Sequence, residues 1–147
     1  MNYNQSQTRF CFPIILTPDA IDGGYVVTFP DLPEAITQGD TIEECLTEAK
    51  DCLEESIALR IDDNLDIPEP SSINSNYWVS LSLTMELKAI LYLTIKDSGL
   101  SYKELANKVK IDEKDIINSL NPNRPTSLSI LEVILSQFNK RLQVNLV

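Results

Sequence analysis

Histidine is absent from all 147 residues. That removes the commonest general base at neutral pH, the usual partner of a Ser or Cys nucleophile, and the commonest zinc ligand. Simple hydrolase chemistry is disfavoured from the start. Cysteine is scarce too: Cys11, Cys45 and Cys52 are odd in number, widely spaced and form no CxxC pair, which argues against a disulfide framework. No window approaches the roughly 18 apolar residues of a membrane span. Residues 1–10 contain no apolar run of signal-peptide length. A soluble, reducing, cytoplasmic setting is the expectation, with no membrane partner, no cofactor and no metal.

Basic residues are also in short supply: 12 Lys plus Arg stand against 22 Asp plus Glu, a net charge of −10. Uniform acidity of that size would oppose contact with nucleic acid, but the charge is divided unevenly. Residues 1–84 hold three basic side chains (Arg9, Lys50, Arg60) and fifteen acidic ones, net −12, whereas residues 85–147 hold nine basic and seven acidic ones, net +2. With 43% apolar residues the chain can build a real core, in one ordinary domain or two very small ones.

What is present reads as an α+β chain. Residues 9–16 form a first strand, with Pro13 marking an edge or an irregularity because it has no amide donor. Asp22-Gly23-Gly24 is a turn signal, and residues 25–29 alternate as a second strand, making a hairpin with a loop longer than two residues. A third short strand falls at 34–38. Thr41 and Glu44 have capping-box spacing at the head of a helix of about 41–60. Its apolar stripe is Ile42, Cys45, Leu46, Ala49, Cys52, Leu53 and Ile57. The two cysteines on it read as small core residues. Residues 62–76 are polar and Pro-bearing, a loop or linker. Residues 77–83 alternate as a strand belonging to the same sheet. From residue 85 the period changes to 3.6: helices are expected at 85–97, 101–108, 112–120 and 127–137, with a break at 121–125, and residues 142–146 alternate like a strand that needs a partner edge.

Two constellations carry possible chemistry. The pair 101–108 and 112–120 has helix-turn-helix spacing, with Leu105, Ala106, Ile111, Ile116 and Leu120 facing inward. On that reading Glu113, Lys114, Ile117 and Asn118 face out toward the major groove. Lys114 suits guanine, Asn118 suits adenine and Ile117 suits a thymine methyl. Ser101, Tyr102, Asn123 and Arg124 flank them as phosphate contacts. Generic three-helix packing gives the same inward pattern. The second constellation is acidic: Glu43, Glu44, Glu48, Asp51, Glu54 and Glu55 lie on the polar face of helix 41–60, while Asp19, Asp22, Asp31 and Asp40 sit in turns. A solvated face, a docking face for a basic partner and, least favoured, a two-metal nuclease site all remain open.

The run from Asp22-Gly23-Gly24-Tyr25 through Phe29-Pro30-Asp31-Leu32-Pro33 to Gly39-Asp40-Thr41, with Ala49 and 53–57 beyond it, resembles the HicB family of antitoxins. The resemblance extends over about 9–147. It implies a partial ribonuclease-H-like, toxin-neutralising domain at 1–84 without catalytic carboxylates, and a helix-turn-helix DNA-binding and dimerisation domain at 85–147. It also implies that residues 141–147 form a strand pairing two copies. The implied partners are a small basic HicA-like mRNA interferase, operator double-stranded DNA, and a second copy in a dimer or dimer of dimers. The implied function is neutralisation of that toxin, with no catalysis, and repression of the operon that encodes both. Under this reading Glu43, Glu44, Glu48 and Asp51 meet the toxin. A stand-alone helix-turn-helix regulator and a ribonuclease-H-like metal nuclease are the alternatives. Three features depart from the common helix-turn-helix pattern: Lys110 stands where glycine is usual, Ile117 stands where a polar residue is usual, and the recognition helix is acidic.

Overall fold

A computed structural model describes residues 9–146. The chain divides into two compact units, the first ending at Ser82 and the second beginning at Leu83.

The first unit is a four-stranded antiparallel sheet with one helix. Its elements are β1 (Cys11–Pro18), β2 (Tyr25–Phe29), β3 (Leu32–Gly39), α1 (Ile42–Asp62) and β4 (Tyr77–Ser80), and the strand order is β3-β2-β1-β4. Alternation puts Phe12, Ile14, Val27 and Phe29 on the buried face, and on β3 Leu32 and Ala35 join them across a register shift that breaks the alternation. The side of α1 that buries itself is narrower than the sequence stripe: Cys45, Ala49, Leu53, Ile57 and Ile61 recur every four residues and are buried, while Ile42 is exposed and Leu46 and Cys52 are half-buried. An arc that narrow matches one helix lying on one sheet face.

β1 changes partner along its length. Residues 11–14 pair with β4 and residues 15–18 pair with β2. Leu81 N donates to Phe10 O, so the even-numbered residues of β1 are the ones hydrogen-bonded to β4. Pro13 therefore turns its donorless nitrogen toward the β2 side, before β2 pairing begins. Pro13 is not on an edge strand, because β1 lies in the middle of the sheet; its missing donor falls where β1 passes from β4 to β2. β4 is also shorter than its alternation suggested, because Leu83 already starts the next helix.

The stretch between α1 and β4 is a fixed loop of the first unit. The Arg9 guanidinium donates to the carbonyls of Ile67 and Pro68, both at 2.7 Å. The Asp31 carboxylate accepts from Ser71 N at 3.0 Å and Ser71 Oγ at 3.2 Å. Ser75 Oγ lies 2.6 Å from Ile14 O, and the Trp78 indole donates to Ser75 O at 3.2 Å.

The second unit is helical: α2 (Leu83–Ser98), α3 (Tyr102–Val109), α4 (Glu113–Leu120) and α5 (Leu128–Gln137). Its core is Met85, Ala89, Leu91, Tyr92, Ile95, Leu105, Ala106, Ile116, Leu120, Leu131, Ile134 and Leu135. Ser101, Asp112 and Ser127 cap α3, α4 and α5 by accepting backbone amides in the first turn, and Ser101 with Glu104 completes a capping box. Lys110 ends α3 in the left-handed region at φ 59°, where a side chain costs about 1 kcal/mol relative to glycine. α5 closes in a Schellman arrangement, with Asn139 at φ 55°, Asn139 N donating to Ser136 O and Lys140 N to Leu135 O.

Residues 141–146 do not form a strand. Alternation alone cannot make one, because a strand exists only against an edge that accepts its hydrogen bonds. In the isolated chain Val144 and Leu146 are exposed instead. The expectation for Val147 lies outside the described residues.

Candidate functional sites

In the first unit, glycines build an acidic cleft. The loop 19–24 is closed by Asp19 N donating to Gly24 O and Gly23 N to Asp19 O, each at 3.0 Å. Asp19 Oδ1 accepts from the amides of Ile21 and Asp22, which hold its carboxyl below the usual range. Gly24, at φ 68°, lies against the start of α1: a Cβ there would sit 2.4 Å from Gly39 O and 2.9 Å from Asp40 Cα. Gly39 in turn has no room for a Cβ, which would meet Cys45 N at 2.8 Å. The two glycine motifs, fifteen residues apart in sequence, are thus one contact.

Around that contact opens a cleft of about 510 Å³ lined by Asp19, Asp22, Tyr25, Gln38, Asp40, Glu44 and Glu48, among others. Thr41 Oγ1 accepts from Glu44 N at 3.1 Å, and the Glu44 carboxylate reaches back to Asp40 N at 2.9 Å, one residue earlier than the usual capping box. Of the four residues assigned to toxin contact, Glu44 and Glu48 line the cleft. Glu43 and Asp51 are exposed elsewhere on α1. Asp19, Asp22 and Asp40, read from sequence only as turn residues, join the cleft. The signal for them was the need for glycine at both 24 and 39. Among the described residues, no group of three or more His, Cys, Asp or Glu is placed to hold a metal ion. Burial, with Glu44 nearby, pushes the Cys45 thiol up, and burial with Glu55 does the same at Cys52, so neither is poised as a thiolate.

Toward the other end of α1, Glu34 on β3 is held by Ser56 and Arg60. The Arg60 guanidinium donates to both Glu34 oxygens, and Ser56 Oγ donates to Oε1 at 2.9 Å. These bonds pull the Glu34 carboxyl from its ordinary 4.5 to about 2.

In the second unit, Lys114, Ile117 and Asn118 follow at three- and four-residue steps and share a side of α4. Glu113 and Lys114 are exposed, Ile117 is 44% exposed and Asn118 is half-buried. Ile111, expected to pack, is only half-buried. Ser101 uses its hydroxyl to cap α3, and burial raises the Tyr102 hydroxyl above its ordinary range. Asn123 and Arg124 are exposed in a tight loop after α4, where Asn123 N donates to Asn121 Oδ1 and Arg124 N to Asn121 O.

Sequence reasoning passed over Lys88. It lies on the inner side of α2, is 1% exposed, and donates from Nζ to Ser119 O at 3.2 Å, Arg124 O at 2.5 Å and Thr126 Oγ1 at 2.8 Å. All three acceptors are neutral. Ser119 lies in the last turn of α4, where the helix dipole favours a cation. Burial holds the Lys88 ammonium below the ordinary lysine range. The spacing did carry a hint, because Lys88 stands three or four residues from Met85, Leu91 and Tyr92, inside the buried side of α2.

The model of the HicB-like antitoxin of bacterial toxin-antitoxin systems matches residues 11–90. The chain is 32% identical over 137 residues to antitoxin HicB of Escherichia coli strain K12, covering 92% of this chain and 99% of that protein. Antitoxin HicB 1 of Photorhabdus laumondii is 32% identical over 135 residues, covering 92% of this chain and 86% of the relative. The chain belongs to the HicB family. The similarity to these HicB proteins runs across both compact units. The matched stretch takes in both Gly24 of the hairpin and Gly39 before α1, which lie in mutual contact. HicB proteins are antitoxins and not enzymes, which sets aside the nuclease alternative. Among the described residues no helix is long and apolar enough to cross a membrane.

Proposed function

We propose that this chain is a cytoplasmic antitoxin. Its first unit neutralises a small basic mRNA interferase of the HicA kind, and its second unit, as a dimer, represses the shared operon by binding operator DNA. The observation that carries this reading is the HicB-family similarity along 92% of the chain, joined to a net of −12 in residues 1–84 against +2 in residues 85–147. Opposite potentials speed encounter with a basic partner and select it. The carboxylates on α1 and around the neighbouring cleft supply that potential. The antiparallel β1-β2-β3 meander, followed by α1 and a fourth strand beside β1, supports the partial ribonuclease-H-like reading.

In the second unit, α3 lies on the backbone and α4 enters the major groove. Lys114, Ile117 and Asn118 read bases there, while Ser101, Tyr102, Asn123 and Arg124 touch phosphates. A dimer is favoured by Leu128 and Val133 on α5, both exposed, and by Leu142, Val144 and Leu146 beyond it. Pairing residues 141–147 with a second copy supplies a partner for a tail that is unpaired in the single chain.

The test is co-purification with the product of the adjacent gene. Reversing Glu43, Glu44, Glu48 and Asp51 together slows association and flattens its salt dependence. An unchanged association rate at low salt removes this face of α1 from the interface.

A further inference from the structure

We infer that Lys88 is a positioning residue for DNA binding: its buried ammonium fixes the loop 121–126 to the end of α4 and so presents Arg124 to a phosphate. The inference rests on the DNA-binding reading above and deepens it.

Three observations lead there. The loop that carries Asn123 and Arg124 is exposed, and its internal bonds, Asn123 N to Asn121 Oδ1 and Arg124 N to Asn121 O, shape it without attaching it to the rest of the unit. The attachment comes from Lys88 on α2, whose Nζ donates to the Arg124 carbonyl itself, to Thr126 Oγ1 and to Ser119 O. Thr126 Oγ1 donates in turn to Ser119 O at 2.9 Å, so ammonium, hydroxyl and helix-end carbonyl form a closed triangle. The position is also a costly one for a lysine. A buried charge without a carboxylate is tolerated only when its donors are fully used, and here three donors meet three acceptors at the negative end of α4. An apolar residue would fill the same space on α2 without that cost, but it would leave the Arg124 carbonyl without its donor and the loop tied to α4 through Thr126 alone. Lys88 is buried and touches no phosphate itself, so whatever it contributes to DNA affinity passes through the residues it holds.

The consequence is specific. Each phosphate contact adds to the dependence of affinity on salt. If Lys88 acts by presenting Arg124, then Lys88→Met lowers the salt slope by about 1, as Arg124→Ala does, and the double variant falls by about 1 rather than about 2. General damage to the fold lowers the competent fraction at every salt concentration alike and leaves the slope in place. Binding of the full chain is measured from low to moderate salt on two probes, the duplex upstream of its own coding sequence and a random-sequence duplex. The expected result is a loss of about tenfold at low salt on both probes for Lys88→Met, with Arg124→Ala adding less than twofold on that background. Additive losses, or a slope unchanged in Lys88→Met while Arg124→Ala lowers it, overturn the role of Lys88 and leave DNA binding standing. Wild-type chain that binds neither duplex rejects the DNA-binding reading itself. If Lys88→Met does not fold, Lys88→Gln removes the charge and shortens the reach to the Arg124 carbonyl while keeping a polar donor and the Thr126–Ser119 bond. A slope that falls toward that of Arg124→Ala then supports the positioning role, and an unchanged slope overturns it.

Discussion

Replacing Gly24 with alanine should unfold the first unit at markedly lower denaturant, and by more than the same change at its neighbour Gly23. Both glycines have positive φ, 68° and 76°, so an L side chain costs about 1 kcal/mol at either position, partly offset by the smaller entropy of the unfolded alanine chain. They differ in surroundings. A Cβ on Gly23 meets nothing within 4 Å, whereas a Cβ on Gly24 sits 2.4 Å from Gly39 O and 2.9 Å from Asp40 Cα. Those are backbone atoms at the junction of β3 and α1, so relief requires the hairpin and the helix start to separate, an overpacking cost of about 1–3 kcal/mol. The net expectation is about 2–4 kcal/mol for Gly24→Ala against about 1 kcal/mol or less for Gly23→Ala. The chain's single tryptophan, Trp78, lies on β4, so its fluorescence during urea titration reports the first unit separately from the helical one. With a slope of about 1–3 kcal/mol/M, the Gly24 variant loses about 1–2 M in midpoint. Equal shifts for the two variants would refute the contact between the hairpin and the start of α1.

Further expectations follow from single contacts. Glu34 titrates near 2 in the folded chain and near 4.5 when free, so its bonds to Arg60 stabilise the first unit above pH 4.5, and that stability is lost as pH falls through about 2. Because the Glu34 side chain is 44% exposed, solvent screening limits the effect to about 1 kcal/mol. The gap in urea midpoint between wild type and Glu34→Gln should close between pH 6 and pH 2, and a constant gap contradicts the pairing. Lys110→Gly should raise the thermal midpoint of the helical unit by several degrees, reflecting about 1 kcal/mol of relieved left-handed strain; circular dichroism melting measures this, and an unchanged or lower midpoint refutes it. Asn118→Ala should cost about 1–3 kcal/mol on the operator and little on random duplex, and equal losses on both would show that α4 does not read bases.

The legible parts of this protein are the ones set by neighbours in sequence. Thr41, Ser101, Asp112 and Ser127 each accept an amide two or three residues on, so the helix starts were visible as residue types at fixed spacing. The four-residue recurrence from Cys45 to Ile57 likewise announced which side of α1 is buried. What stayed hidden depends on distant partners. Residues 63–76 look like a linker until Arg9, Asp31 and Ile14 are seen to hold them, across 40 to 61 residues of sequence. Lys88 has the spacing of the buried side of α2, but nothing local reveals that the carbonyls of Ser119 and Arg124 fold back to receive its charge. The acidic cleft needs the Gly24–Gly39 contact before Asp19 and Asp40 become neighbours of Glu44. The tail beyond Lys140 alternates like a strand but is unpaired in the isolated chain, with Val144 and Leu146 exposed, because a strand depends on a partner edge that local alternation cannot supply.

The most direct measurement is RNA cleavage by the small basic protein encoded next to this chain, titrated with the full chain. Cleavage should fall stepwise to background at a fixed stoichiometry, and the Gly24→Ala variant, with its acidic cleft disrupted, should need more protein to reach the same inhibition. Undiminished cleavage in the presence of excess folded chain would contradict the antitoxin reading outright.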